Sequence, residues 1–244
     1  MGLRKQIWWL AAIGAVDVIF ILMILGMIGG TEIGSRGEKC IGIEGDRALH
    51  VSGENMEKYL ALTFDDGPDQ TYTEQLLDGL KERDVKATFF LTGACISGNE
   101  EIVKRMHEEG HLVGVHCMQH TDLTKMPVTE ALEQLKDTGR KVEAVTGVWP
   151  EYIRPPYGSW NEKLGQAVLE ELQMIPVFWN VDSLDWELQN VGKIVKKVLA
   201  DVENGDIILM HDEFDTSVEA ALAIIDNLMA KGYTFVTANE LMVD

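Results

Sequence analysis

"YLALTFDDGP", residues Tyr59–Pro68, runs a mostly apolar stretch into Phe64 and then stops on two adjacent carboxylates, Asp65 and Asp66. The segment Leu60–Phe64 reads as a strand buried on at least one face. The D-G-P that follows is a strong turn signal and accounts for where the strand ends. It does not account for the paired charges. Neighbouring carboxylates repel, so the fold has to bring compensating charge to both.

Working outward from this stretch, the chain alternates short apolar runs with amphipathic ones. Strands are expected at Leu60–Phe64, Ala87–Leu91, His111–Val115, Tyr152–Arg154, Ile175–Val181, Asp206–Met210 and Thr234–Val236. Helical periodicity fills Thr73–Arg83, Glu100–Glu109, Val128–Val145, Lys163–Leu172, Val191–Val202 and Ser217–Lys231. Repeated βα units imply a parallel sheet with helices outside it. A single α/β domain over residues 57–244 is consistent with the roughly 200 to 250 residues such barrels occupy.

The polar residues fall at the carboxyl ends of these strands. Asp65 and Asp66 follow the first, His116 and His120 the third, Arg154 and Tyr157 the fourth, Asp182 and Asp185 the fifth, and His211 the sixth. Barrel enzymes assemble their sites at that end. Each cluster taken singly has a plainer explanation. "HCMQH" is a short His-x-x-x-His pair, "RPPYG" a stiff turn, "DSLDW" a solvated loop with one tryptophan, and His211 after "DIILM" a core histidine. Their convergence points to chemistry. Two neutral imidazoles and one carboxylate make a three-ligand metal site with open positions for water and substrate. Asp66, His116 and His120 would bind a divalent cation, while Arg154 would hold Asp65 ionised as a base. That arrangement neutralises the two acids separately. His211, with a reference pKa of about 6.5, could protonate a leaving amine.

Bulk composition narrows the partners. A formal net charge of -19, with 21 lysines and arginines scattered along the chain, disfavours nucleic acid. Cys40, Cys95 and Cys117 form neither a disulfide framework nor a zinc-finger spacing. No protein partner can be inferred.

The amino-terminal 30 residues read as a separate object. Ile7–Ile28 is apolar or small apart from Asp17, long enough to cross a hydrocarbon core of about 30 Å. Asp17 should cost roughly 2.5 to 3.5 kcal/mol on insertion, and the Leu, Ile, Val and Phe residues return about 0.3 to 0.6 each. Residues 1–30 are therefore expected to be an uncleaved transmembrane anchor, with Arg4 and Lys5 on the cytoplasmic side and the catalytic domain outside. Arg36 and Lys39 weaken that charge bias. A cleaved signal peptide and secretion form the rival reading. Residues 31–56, polar and glycine-punctuated, read as a stalk.

"TFDDGP", "HCMQH", "RPPYG", "DSLDW" and "LMH", in this order, resemble the five motifs of the polysaccharide deacetylase family, also called the NodB homology domain or carbohydrate esterase family 4. The resemblance runs from about Lys58 to Met242 and includes "VKATFFLTG", "GDIILMHD" and "KGYTFVTANEL". It implies a deformed (β/α)7 TIM-like barrel that removes N-acetyl, or sometimes O-acetyl, groups from polysaccharides with one divalent metal, often zinc, with cobalt, nickel or manganese as alternatives. By that similarity Asp65 is the base, Asp66, His116 and His120 are the ligands, and Arg154 is the partner of the base. The Tyr157 amide would face the oxyanion, and His211 would be the acid, tuned by Asp185. Pro155, Tyr157, Trp186 and Leu209 would line the acetyl pocket.

One position departs from the family. Cys117 stands where a Ser or Thr usually follows the first metal histidine, and strand alternation should point it away from the metal. Two function classes follow. One is an anchored deacetylase of cell-wall glycan, with peptidoglycan favoured and chitin-like oligomers or O-acetylated xylan as alternatives. The other is a non-catalytic glycan-binding membrane protein.

Overall fold

A computed structural model describes residues 57–242 of the 244-residue chain. The proposed anchor over 1–30 and stalk over 31–56 lie outside the described residues. Among the described residues no helix is long and apolar enough to cross a membrane.

The opening strand, β1 (Lys58–Asp65), is central. Around it lie β2 (Thr88–Thr92), β3 (Leu112–Cys117), β4 (Tyr152–Ile153), β5 (Ile175–Pro176), β6 (Val181–Asp182), β7 (Ile207–His211) and β8 (Tyr233–Val236). All pair in parallel, in the order β5-β4-β3-β2-β1-β7-β6, with β8 joining the first half of β1. The result is a curled, open α/β half-barrel, consistent with the expected (β/α)7 architecture.

Alternation along β1 sorts its side chains by role. Leu60, Leu62 and Phe64 turn outward and pack with Leu76, Leu80, Ile224 and Ile225 of the surrounding helices. Each such fully buried side chain contributes about 1.5 to 3 kcal/mol. The odd residues face the interior, where Ala61 meets Phe90 and Val177. Thr63 and Asp65 continue that inner face towards the carboxyl end.

The expected helices form as Tyr72–Glu82, Glu100–Glu108, Val128–Thr146, Glu162–Leu172, Val191–Asp201 and Asp215–Met229. Their ends are fixed locally. Asn161 and Asn190 cap their helices by accepting the amides of Leu164 and Lys193, both at 3.0 Å. Gly147, with φ of 75°, closes the helix Val128–Thr146 in the left-handed conformation that suits glycine.

One expected strand is corrected. Ile175–Val181 is not continuous but splits into β5 and β6. The carbonyls of Val177 and Phe178 between them accept hydrogen bonds from Arg154, Nε at 3.2 Å and Nη2 at 3.3 Å. A buried arginine occupies acceptors that a continuous ladder would need.

Candidate active site

Register places the site. Asp65 at the end of β1 lies opposite His211 at the end of β7 and opposite Phe90 of β2. Immediately after Asp65 the chain turns: Asp66 adopts φ of 76°, a left-handed conformation that Asp tolerates better than most residues. The turn keeps the Asp66 carboxylate over the same opening that Asp65 faces.

Arg154 is fully buried beneath Asp65. Its Nη1 donates to Asp65 Oδ1 at 2.9 Å and to Thr63 Oγ1 at 2.6 Å, and its guanidinium lies 4.4 Å over the Phe90 ring. Burial raises the Asp65 pKa above its ordinary value despite the opposing pull of Arg154 and His211. The arginine therefore positions a carboxylate that is more basic than one in water.

Three groups converge across the opening. Asp66 Oδ1 lies 3.4 Å from His116 Nε2 and 3.5 Å from His120 Nε2. His116 Nδ1 is 2.6 Å from the Arg154 carbonyl, which can only accept, so Nδ1 carries the proton and Nε2 presents its lone pair. Burial holds His116 neutral, pushing it down to about 3 against the attraction of Asp66. His120, itself left-handed with φ of 49°, has Nδ1 3.2 Å from the Tyr157 hydroxyl and its ring edge-on to the phenol at 4.6 Å.

These residues fit a metal ion. A tetrahedral site with arms of about 2.0–2.1 Å has edges of about 3.3–3.4 Å, close to both Asp66–histidine distances. All three donor atoms lie within 4.8 Å of one another. Asp66 Oδ1 is buried with no hydrogen-bond partner, an orphaned acceptor that a cation would satisfy.

His211 sits on the opposite wall. Its Nδ1 is 2.8 Å from Asp185 Oδ1, and its amide donates to Asp185 Oδ2 at 2.8 Å. Asp185 is fully buried and also accepts from Ser183 Oγ at 3.1 Å. Burial alone would lower the His211 pKa, but the Asp185 carboxylate raises it to about 9. Its Nε2 stands 4.0 Å from Asp66 Oδ2.

A cleft of about 540 Å³ opens over this assembly. Asp65, Asp66, His116, His120 and His211 line it, as do Pro155, Tyr157, Trp186 and Leu209. Arg154 and Asp185 lie beneath it, each behind the side chain it contacts. Sequence reasoning gave Tyr157 an oxyanion amide and a place in the substrate pocket but missed its phenol on His120. It also missed Thr63 under Arg154, and Trp179, Glu213 and Phe214 on the cleft wall. Glu213 and Phe214 follow His211 by two and three residues, a signal available in the sequence.

Comparison with known proteins identifies the family. The polysaccharide deacetylase family profile matches residues 52–175, and the chain belongs to that family. The match includes Asp65, Asp66, His116, His120 and Arg154, and ends before Asp185 and His211. The peptidoglycan-N-acetylglucosamine deacetylase PgdA of Listeria monocytogenes is 43% identical over 191 residues, covering 78% of this chain and 40% of that protein. The chain thus spans well under half the length of that relative. The solved structure of the peptidoglycan deacetylase PdaC of Bacillus subtilis superposes with a TM-score of 0.73 at 40% identity, covering 77% of this chain and 91% of that one. A carbohydrate esterase family 4 pseudoenzyme from Bacillus anthracis matches with a TM-score of 0.71 at 30% identity, over 76% of this chain and 66% of that one.

Proposed function

We propose that the chain is a metal-dependent hydrolase that removes N-acetyl groups from peptidoglycan and releases acetate. The observation that carries this reading is the joint presentation, in one cleft, of a carboxylate seated on a buried arginine, a three-ligand cluster and an aspartate-backed imidazole. The likeness to a pseudoenzyme means that the fold alone does not carry activity. The filled site does. The names of the Listeria and Bacillus relatives support peptidoglycan over chitin-like oligomers or acetylated xylan.

Asp65 acts as the general base, taking a proton from the attacking water while Arg154 holds its carboxylate towards the cleft. As the acetyl carbon becomes tetrahedral, the Tyr157 amide stabilises the oxyanion. His211, kept protonated by Asp185, delivers its Nε2 proton to the departing sugar amine. Trp186 and Leu209 contact the acetyl methyl and Pro155 flanks it. A divalent cation held by Asp66, His116 and His120, with zinc suited to two imidazoles and a carboxylate, would supply a more acidic water and a polarised acetyl carbonyl. The sequence of residues 1–30 supports a membrane anchor that leaves this domain facing the cell wall.

The test is acetate release from a panel of acetylated glycans. Activity should vanish in strong chelator and return with one divalent ion per chain. Asp65→Asn should keep the metal and lose turnover by about a thousandfold or more. Full activity after exhaustive chelation, or equal metal loss in Asp65→Asn and Asp66→Asn, would overturn the assignment.

A further inference from the structure

The residue after His211 has no part in the mechanism above, yet it is among the most buried charges in the molecule. Asp212 is 1% exposed. Its Oδ2 accepts the Thr73 hydroxyl, and Thr73 Oγ1 in turn accepts the Asp69 amide at 2.8 Å. Its Oδ1 has no hydrogen-bond partner. The carboxylate is pressed instead against the backbone of Gly67. A Cβ built on Gly67 would lie 2.4 and 2.5 Å from the two carboxylate oxygens and 2.8 Å from Cγ. Gly67 immediately follows Asp66, and its carbonyl accepts the Thr92 amide at 3.0 Å. Asp212 is thus wedged between the strand that ends in His211 and both arms of the loop that carries Asp66.

We propose that Asp212 is a positioning residue that fixes the Asp66 turn relative to His211. A carboxylate buried with one oxygen unsatisfied is unfavourable, and an apolar side chain there would be more stable. An apolar side chain would not hold Thr73, and through it Asp69, and would not meet Gly67 with the same flat face. The absence of a Cβ at Gly67 is the complement of this packing: the carboxylate fills the space a side chain would take. This inference rests on the reading of Asp66 as a metal ligand.

The experiment uses the full chain and four variants, Asp212→Ala, Asp212→Asn, Gly67→Ala and Gly67→Ala/Asp212→Ala. Zinc affinity is read by competition with a chromophoric chelator, alongside kcat, KM and melting temperature. Asp212→Ala and Gly67→Ala should each weaken zinc binding by about 10- to 100-fold, the usual effect of losing a ligand's outer support. kcat should fall with little change in KM. Asp212→Asn, of the same shape and still able to accept from Thr73, should stay near wild type and act as the folding control. The double variant should bind zinc better than Gly67→Ala alone, because removing the carboxylate removes the clash. Unchanged zinc affinity in Asp212→Ala with only a lowered melting temperature would overturn the proposal, as would simple additivity in the double variant. A wild-type chain that binds zinc but releases no acetate would defeat the proposed function and leave this inference to be decided by the zinc titrations.

Discussion

His111 immediately precedes β3 and His116 lies near its far end; both are buried and neutral, yet only His116 faces the catalytic cleft. Burial pushes His111 down to about 4 and His116 to about 3. The difference lies in what touches Nδ1. In His116 it is the Arg154 carbonyl, which accepts a hydrogen bond from Nδ1–H and leaves the Nε2 lone pair facing Asp66. In His111 it is the Ala87 amide, which donates to Nδ1 at 3.1 Å and uses the lone pair up, with the ring edge-on to Phe89. Acidity does not separate a ligand from a structural histidine here. The backbone group at the second nitrogen does.

The comparison breaks if the two histidines respond alike to removal. His116→Ala should abolish high-affinity zinc binding and lower turnover by at least about a thousandfold, since it empties a ligand position. His111→Ala should keep one metal per chain and lower stability instead, by about 1 to 3 kcal/mol for the orphaned Ala87 amide and the lost packing. Metal titration and denaturant unfolding of both variants decide it. Metal loss in His111→Ala would erase the distinction.

The pH dependence of stability sharpens it. His111 binds a proton less readily folded than unfolded, so its contribution is complete above about 6.5 and is lost as pH falls towards 4, by roughly 3 kcal/mol. Asp212 runs the other way. Burial pushes its carboxyl up to about 7, so the folded state takes up a proton that the unfolded chain has released, and stability is lost as pH rises from about 4 to 7. The two slopes oppose each other over nearly the same window. The summed contribution of this pair to wild-type stability should therefore change little between pH 4 and 7, whereas the stability of His111→Gln relative to wild type should fall as pH rises through that range. Urea midpoints at pH 4.5, 5.5 and 7 measure the sign. A His111→Gln protein whose stability relative to wild type stays level or rises with pH would refute the assignment.

Much of this arrangement was legible because its residues recur where strands end. The D-D pair after Leu60–Phe64, the His-x-x-x-His that begins at the end of β3 and the arginine after β4 could be placed from periodicity alone, since the carboxyl ends of parallel strands meet at one face. What stayed hidden depended on contacts distant in sequence. Ile175–Val181 is apolar apart from Asn180, so its pattern does not reveal that Arg154, more than 20 residues earlier, takes two of its carbonyls and interrupts the strand. Thr63 reads as one more strand residue until Arg154 and the Ile208 carbonyl are seen to share its hydroxyl. Asp212 follows the last motif residue directly, but its meaning lies in Gly67, distant in sequence and adjacent in the fold.

Tyr157 tests whether the rule drawn from His116 extends to His120, whose Nδ1 meets a phenol rather than a carbonyl. The phenol is 67% exposed, so this support should be weaker than the buried carbonyl at His116. Tyr157→Phe keeps the edge-on ring and deletes only the hydroxyl. Zinc affinity should fall about tenfold, at the lower end of the range for an outer-shell partner. Titration against a competing chelator reads the effect, and no change would confine the rule to buried partners.

The smallest effect is expected at Cys117, the neighbour of His116 on β3. Successive strand residues point to opposite sides, and Cys117 is buried among Val115, Leu123, Leu135 and Ile153, away from the cleft. Among the described residues the group able to hold a metal is Asp66, His116 and His120, without this sulfur. Burial pushes the thiol pKa up, opposed by hydrogen bonds from the backbone amides of Thr121, Gln119 and His120. Those residues belong to the loop that presents His120, so the sulfur lies against that loop rather than on the ion. A serine hydroxyl is less hydrophobic and is unfavourable in this apolar cluster. Cys117→Ser should therefore keep metal affinity, lose roughly 1 kcal/mol of stability and change turnover by less than about tenfold, or 1.4 kcal/mol of barrier. A marked fall in zinc affinity, or a metal–sulfur signal in X-ray absorption of the active enzyme, would place the thiol on the ion and undo the separation of the two faces of β3.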